Sequence, residues 1–286
     1  MERAVNSKTK NKLKFSNIFY RICLWAYAIL SFYPIVWMIF YSFKNNDEIF
    51  VSNPFGPPTT LRLENYFKAL TQYNVPKYFL NSVVVSICTV ALTILLATMF
   101  AYATARMKWK GQNVARIFVS IGMFIPVQSI LIPLAILVRD LNLSNRYLSL
   151  IVPYTAFNLA FSSMVLYGFL RSIPIELEEA ACIDGAGIFT TFSKIIVPNL
   201  KPAISTLIIF TFLQAWNEFP IALILITEES MKTLPLGLLF FQGQFTTDWG
   251  AMGAAMAIAS LPTVIMYVFF SNQVEKALTI GGAVKG

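Results

Sequence analysis

Apolar and polar positions alternate along this chain in long blocks. Six apolar runs stand out, at Ile22–Ser42, Asn81–Ala103, Ile117–Val138, Leu148–Leu170, Ala203–Ile226 and Ala251–Ser271. Each has about 21–24 residues, and at ~1.5 Å rise per residue a helix of that length covers roughly 32–36 Å, enough for a ~30 Å hydrocarbon layer. Lipid offers no hydrogen bonds to a backbone, so such runs must be helical. The pattern predicts an all-α integral membrane protein of six transmembrane helices. Residues 22–271 form its membrane domain, between a basic cytoplasmic segment 1–21 and a cytoplasmic tail 272–286. The first run exceeds the 7–15 residues of a signal-peptide core and lacks a small-x-small cleavage site after it, so it reads as a span.

The segment between the fourth and fifth runs, residues 171–202, is amphipathic instead of simply polar. Pro174 suits a first helical turn, where its missing N–H costs nothing. Glu176, Glu178 and Glu179 follow where carboxylates favour the helix dipole. Ala180 and Ala181 propagate the helix, and Gly185 or Gly187 can turn it. A second helix is expected over Ile188–Val197, with Ile188, Phe189, Phe192, Ile195 and Ile196 at helical spacing, ended by Pro198 and Pro202. Two short helices with a glycine bend result.

Charge fixes the orientation. With the N-terminus cytoplasmic, fifteen of the 22 Lys and Arg fall on the cytoplasmic side, which places both termini and residues 171–202 on the cytoplasmic side of a cell membrane. The net charge of +8 is thereby explained by topology, without nucleic acid. Composition agrees: 57% of the 286 residues are hydrophobic and 13% charged, about half the charge of an ordinary soluble protein. Cys23, Cys88 and Cys182 have no CxxC partner and read as buried apolar thiols. With no histidine in the chain, His-ligated metal sites and imidazole catalysis are excluded. No catalytic residue and no metal site is expected.

Here a family resemblance becomes specific. Glu179-Ala180-Ala181, three residues, Gly185, nine residues, Ile195, one residue and Pro198 resemble the EAA loop of ABC-importer permeases, E-A-A-x3-G-x9-I-x-L-P, with Val197 in place of the family's Leu. Asn81-Ser82, Tyr102-Ala103 with Arg106, and Trp216-Asn217-Glu218-Phe219 are similar to the carbohydrate, maltose permease-like branch. So is the terminal Gly282-Ala283-Val284-Lys285-Gly286. The resemblance implies a coupling loop that docks on a separate ATPase through Glu179, Ala180, Ala181, Asp184, Gly185, Ile188, Phe189 and Pro198, with Gly282 and Lys285 as a second contact. It also implies a second permease subunit of different sequence, two ATPase subunits that hold ATP and Mg, and an extracytoplasmic solute-binding protein. This chain itself binds no cofactor.

Polar residues within the spans are expensive and therefore informative. Gln128, Asn158, Gln214, Asn217 and Glu218 supply groups suited to sugar hydroxyls, which both donate and accept. Trp216 could stack on a sugar ring. These six are the candidate translocation path; helix-to-helix hydrogen bonding is the competing role for each. The serine and threonine face of the second span and the small-x3-small pairs of the sixth read as close helix packing. No GxxxxGK[ST] phosphate loop occurs, so nucleotide energy must come from another subunit. The alternative is an ion-coupled secondary carrier, disfavoured by a single intramembrane acid, Glu218, and no histidine.

Overall fold

The computed structural model describes residues 2–241 and 247–283, with side chains at 18–239, 241 and 247–270. Among the described residues the regular elements are helical. In chain order they are α1 (Glu2–Ser42), α2 (Glu64–Thr71), α3 (Val75–Ala105), α4 (Gln112–Ile121), α5 (Val127–Asp140), α6 (Tyr147–Ser172), α7 (Glu176–Ile183), α8 (Ile188–Asn199), α9 (Lys201–Asn217), α10 (Pro220–Leu225) and α11 (Trp249–Ala283). Ile18–Ser42, Val75–Ala105, Tyr147–Ser172 and Trp249–Phe270 are long and apolar enough to cross a membrane. Two bent pairs, Gln112–Phe124 with Val127–Asp140 and Ile188–Asn199 with Lys201–Asn217, bring the number to six if each counts as one crossing.

The third and fifth runs depart from the unbroken spans expected above. The third run turns through 107°. After a 3₁₀ turn at Gly122–Phe124, Ile125 (ψ 114°) and Pro126 (ψ 129°) are extended. The cause is Pro126, which lacks an N–H and crowds Ile125 out of the helical region. Ser129 restarts the helix by donating its hydroxyl to Pro126 O at 2.7 Å. The fifth run is cut at Glu218, extended at ψ 130°, before α10 opens at Pro220. The second run begins earlier than expected, at Val75, because Asn74 adopts the left-handed conformation and Pro76 takes a first-turn position.

The chain divides into two compact units: Asn74–Leu239 with Ala259–Gly286, and Met1–Tyr73 with Phe240–Ile258. In the first, α3 is the central element, packed most extensively on α6 and then on α9. Ser82, Ser86, Thr89 and Thr93 lie fully inside, and their small hydroxyl side chains let backbones approach closely. One apolar cluster gathers Val85, Leu150, Tyr154, Ile221 and Leu225. Another gathers Ala97, Leu166, Leu170, Ile196, Leu200 and Leu207. Asn81 ties the start of the span to a loop by donating to Ser230 O (3.0 Å) and Lys232 O (2.8 Å), while accepting from Tyr147 Oη (2.8 Å).

In the second unit the first turns of α11 pack closely on the end of α1. A Cβ at Gly250 would meet Lys44 O and the Asn65 amide, and one at Gly253 would meet the Tyr41 ring. Lys44 is itself buried. Its ammonium donates to Asn53 O (2.5 Å) and Gly56 O (2.7 Å). Glu48, also buried, accepts from the Thr59 N–H at 2.6 Å. Within this unit, most side chains of α1 from Ile18 to Phe32 stay exposed, Trp25, Tyr27 and Leu30 among them.

Candidate coupling surface

The helix pair sits where the sequence pattern puts it, at Glu176–Ile183 and Ile188–Asn199. Its bend is a Schellman closure. Gly185 takes φ +80°, the Gly185 N–H donates to Cys182 O (3.0 Å), and the Ala186 N–H donates to Ala181 O (2.9 Å). Those bonds satisfy carbonyls that the end of α7 leaves free. Gly187, at φ −72° and ψ 164°, is ordinary extended backbone. Around the bend the chain displays apolar side chains: Ile183 is 87% exposed, Ile188 67% and Phe189 80%. Glu179, Ala180, Asp184 and Gly185 are exposed beside them. Ala181 instead faces inward, 5% exposed.

Pro198, exposed, does not end the second helix as expected. A π-helical turn at Phe192–Ile196 precedes it. The wider turn accommodates a residue that has no N–H and a ring that crowds the preceding carbonyls. The helix then runs to Asn199, and the 74° bend follows into α9.

The candidate path residues separate into two groups. Gln128, Gln214 and Asn217 are exposed in the isolated chain, with the Asn217 amide donating to Leu213 O (2.8 Å). Asn158 and Trp216 turn inward. The Asn158 amide donates to Tyr154 O (2.8 Å). The Trp216 indole donates to Ala259 O (3.1 Å), and its ring packs on Phe79 and Phe212. Glu218 is half-buried. It accepts from Tyr154 Oη and from the N–H groups of Ile221 (2.7 Å) and Ala222 (3.2 Å), so it caps α10 across the break. Lys285 lies outside the described residues, and Gly282 falls in the last turn of α11. The three cysteines are exposed, on outward faces of α1, α3 and α7 and not in the core expected for them.

Residues 93–280 match the family described as "Binding-protein-dependent transport system inner membrane component". The chain belongs to that family. It is an ABC-importer permease, and membership decides against the ion-coupled carrier. Similar proteins include the probable ABC transporter permease YurM of Bacillus subtilis, 33% identical, with 99% of this chain and 93% of YurM covered. The diacetylchitobiose uptake system permease NgcG of Streptomyces coelicolor is 34% identical (91% and 86%). The trehalose/maltose transport system permease MalG of Thermococcus litoralis is also 34% identical (91% and 93%). The fold matches a chain in the crystal structure of a bacterial ABC transporter involved in alginate import, with TM-score 0.80, 20% identity, and 91% of this chain and 96% of that one covered.

One contact at the candidate coupling surface of this permease is not legible in the sequence. Arg106, at the end of α3, places its Nε 2.8 Å from Glu178 Oε1 on α7, with both side chains largely buried. The Tyr102 hydroxyl donates to Glu178 Oε2 (3.1 Å). The motif pattern directs attention to Glu179, which points outward, whereas its neighbour Glu178 holds the helix in place. The sequence marks Tyr102 and Arg106 only as similar to the carbohydrate branch, and charge complementarity between Arg106 and the glutamates is its one clue to the pairing.

Proposed function

We propose that this permease forms half of the translocation pathway of an ATP-driven importer for a sugar or oligosaccharide and couples to a separate ATPase through α7 and α8. The observation that carries the reading is the exposed apolar bend formed by Ile183, Ile188 and Phe189. Large apolar side chains at a tight turn are anchors for a pocket in a partner, and losing one typically costs ~1–4 kcal/mol of binding. Glu179 is exposed beside them, available to a basic residue of the ATPase. The Lys and Arg distribution supports cytoplasmic termini and a cytoplasmic bend. ATP and Mg belong to the two ATPase subunits, because the sequence has no phosphate loop of its own. A second permease completes the pathway, and an extracytoplasmic binding protein delivers the solute. The saccharide names of the relatives and the exposed amides of Gln128, Gln214 and Asn217 support a polyhydroxylated solute.

The test uses the importer reconstituted in proteoliposomes with its binding protein. Uptake of labelled oligosaccharide should require ATP and should not follow from an ion gradient alone. A cysteine at Phe189, in a background without the native cysteines, should crosslink to the ATPase. Gradient-driven uptake without ATP, or no crosslink from an active complex, overturns the reading.

A further inference from the structure

The helix pair has a free tip and a pinned root, and one arginine makes the root. Arg106 caps the end of α3, its own N–H donating to Tyr102 O. Its Nη2 donates to Leu170 O (2.8 Å) and Ile173 O (2.6 Å), at the carboxyl end of α6. A cation is favoured there by the helix dipole and by the carbonyls at the helix end, of which Leu170 O also accepts the Ile173 N–H. Its Nε meets Glu178 Oε1 at 2.8 Å, in the first turn of α7. That contact is an ion pair without hydrogen-bond geometry, whereas Nη2 donates to both carbonyls; a planar, delocalised guanidinium can serve both at once. Tyr102, one turn earlier, completes the root: its hydroxyl holds the second oxygen of Glu178, and its ring packs on Phe192 of α8 at 5.1 Å.

We propose that Arg106, with Glu178 and Tyr102, is the positioning device that makes α7 a rigid extension of α3 and α6, so that a push on the Gly185 bend reaches the membrane helices without loss. The inference rests on the coupling reading above. A loop hinged only by its ends would absorb such a push. A loop whose first helix shares a guanidinium with the ends of two membrane helices moves with them, because breaking a largely buried ion pair leaves an uncompensated charge.

The complete importer, reconstituted with the permease variants Glu178→Gln and Arg106→Gln, tests this. Both variants should retain the ATPase and hydrolyse ATP, while solute moved per ATP falls by about tenfold or more. Arg106→Lys, a point charge without the fork, should fall between. Solute per ATP within about twofold of wild type in both Gln variants overturns the proposal. A second measurement needs only the wild-type contacts: spin labels at Met107 and Glu176, both exposed. Their separation should stay fixed between the ATP-free and ATP-bound complex. A change approaching one helical turn, about 5 Å, overturns the proposal even if the Gln variants fail to assemble. Absence of ATPase from the wild-type complex would instead refute the coupling reading itself.

Discussion

Gly185→Ala is the sharpest test of the bend, because the structure supplies an opposite-signed control two residues away. At Gly185 φ is +80°, and no heavy atom lies within 4 Å of where a Cβ would sit. The cost is therefore backbone strain alone, about 1–2 kcal/mol for an L-residue in the left-handed region. At Gly187 a Cβ also meets nothing, and the backbone is extended at φ −72°. Alanine there should stabilise the folded bend by about 0.4–1 kcal/mol, by narrowing the unfolded ensemble. The local reporter is the Ala186 amide, which closes the bend onto Ala181 O. Its hydrogen exchange in the detergent-purified permease should speed up by roughly fivefold or more in Gly185→Ala, since 1 kcal/mol is a factor of about 5. It should slow in Gly187→Ala. Gly185→Asn should stay near wild type, as Asn74, Asn142 and Asn145 already adopt this conformation in the chain. Solute moved per ATP should fall in the same order. Exchange that shifts the same way in both alanine variants would refute the assignment of the turn to Gly185.

Trp216→Ala should lower thermal stability by about 3–5 kcal/mol, because the indole is buried and bonded to Ala259 O; a melt in nanodiscs checks this, and KM for uptake should not move in Trp216→Phe. Lys44→Met leaves Asn53 O and Gly56 O without their donor and Glu48 without its countercharge, a change of the kind that costs about 3–5 kcal/mol; limited proteolysis should then cut the 45–63 segment first. The same unit should lose stability at both ends of the pH scale. Burial alone would raise the Glu48 carboxyl, but hydrogen bonds from Thr59 and Asn53 and the Lys44 charge outweigh it and hold it below the usual range. Its contribution is therefore present at neutral pH and lost as pH falls through that lowered value. The hydrogen bond to Glu64, opposed by burial and helped by Asp248, raises Lys68, whose contribution is full at neutral pH and lost as pH climbs past the raised value. Acid and alkaline melts of the permease check both limbs, and Glu48→Gln should flatten the acid one.

The sequence showed what is periodic or local. Apolar runs gave the helices, and the Glu-rich start and glycine-rich end gave α7, because those signals lie within a few residues of the structure they produce. The sharp turn at Pro126 was visible as a proline, but not its 107° angle, which depends on how α4 and α5 find separate packing partners. Trp216 among amides reads as a sugar platform, yet its partner is 43 residues away. The Arg106–Glu178 pair likewise joins positions that no periodicity relates. Asn158 and Glu218 satisfy neighbouring backbone groups, a role that polarity within an apolar run does not distinguish from solute contact.

The π-helical turn at Phe192–Ile196 makes the length of this segment a matter of phase. Such a turn takes up one residue more than an α-helical turn, so a residue lost inside it can be absorbed by closing it to an α-turn, whereas one gained, or one lost elsewhere in the helix, would rotate everything after it by about 100°. Ile196 and Leu200, both fully enclosed, would swing out of their cluster, and α9 would enter the membrane facing a different way. The count of residues between Gly185 and Ile195 is thus a gear setting: substitutions along it can be absorbed, whereas a single insertion, or a deletion outside the π-helical turn, would disengage the drive from the span it turns.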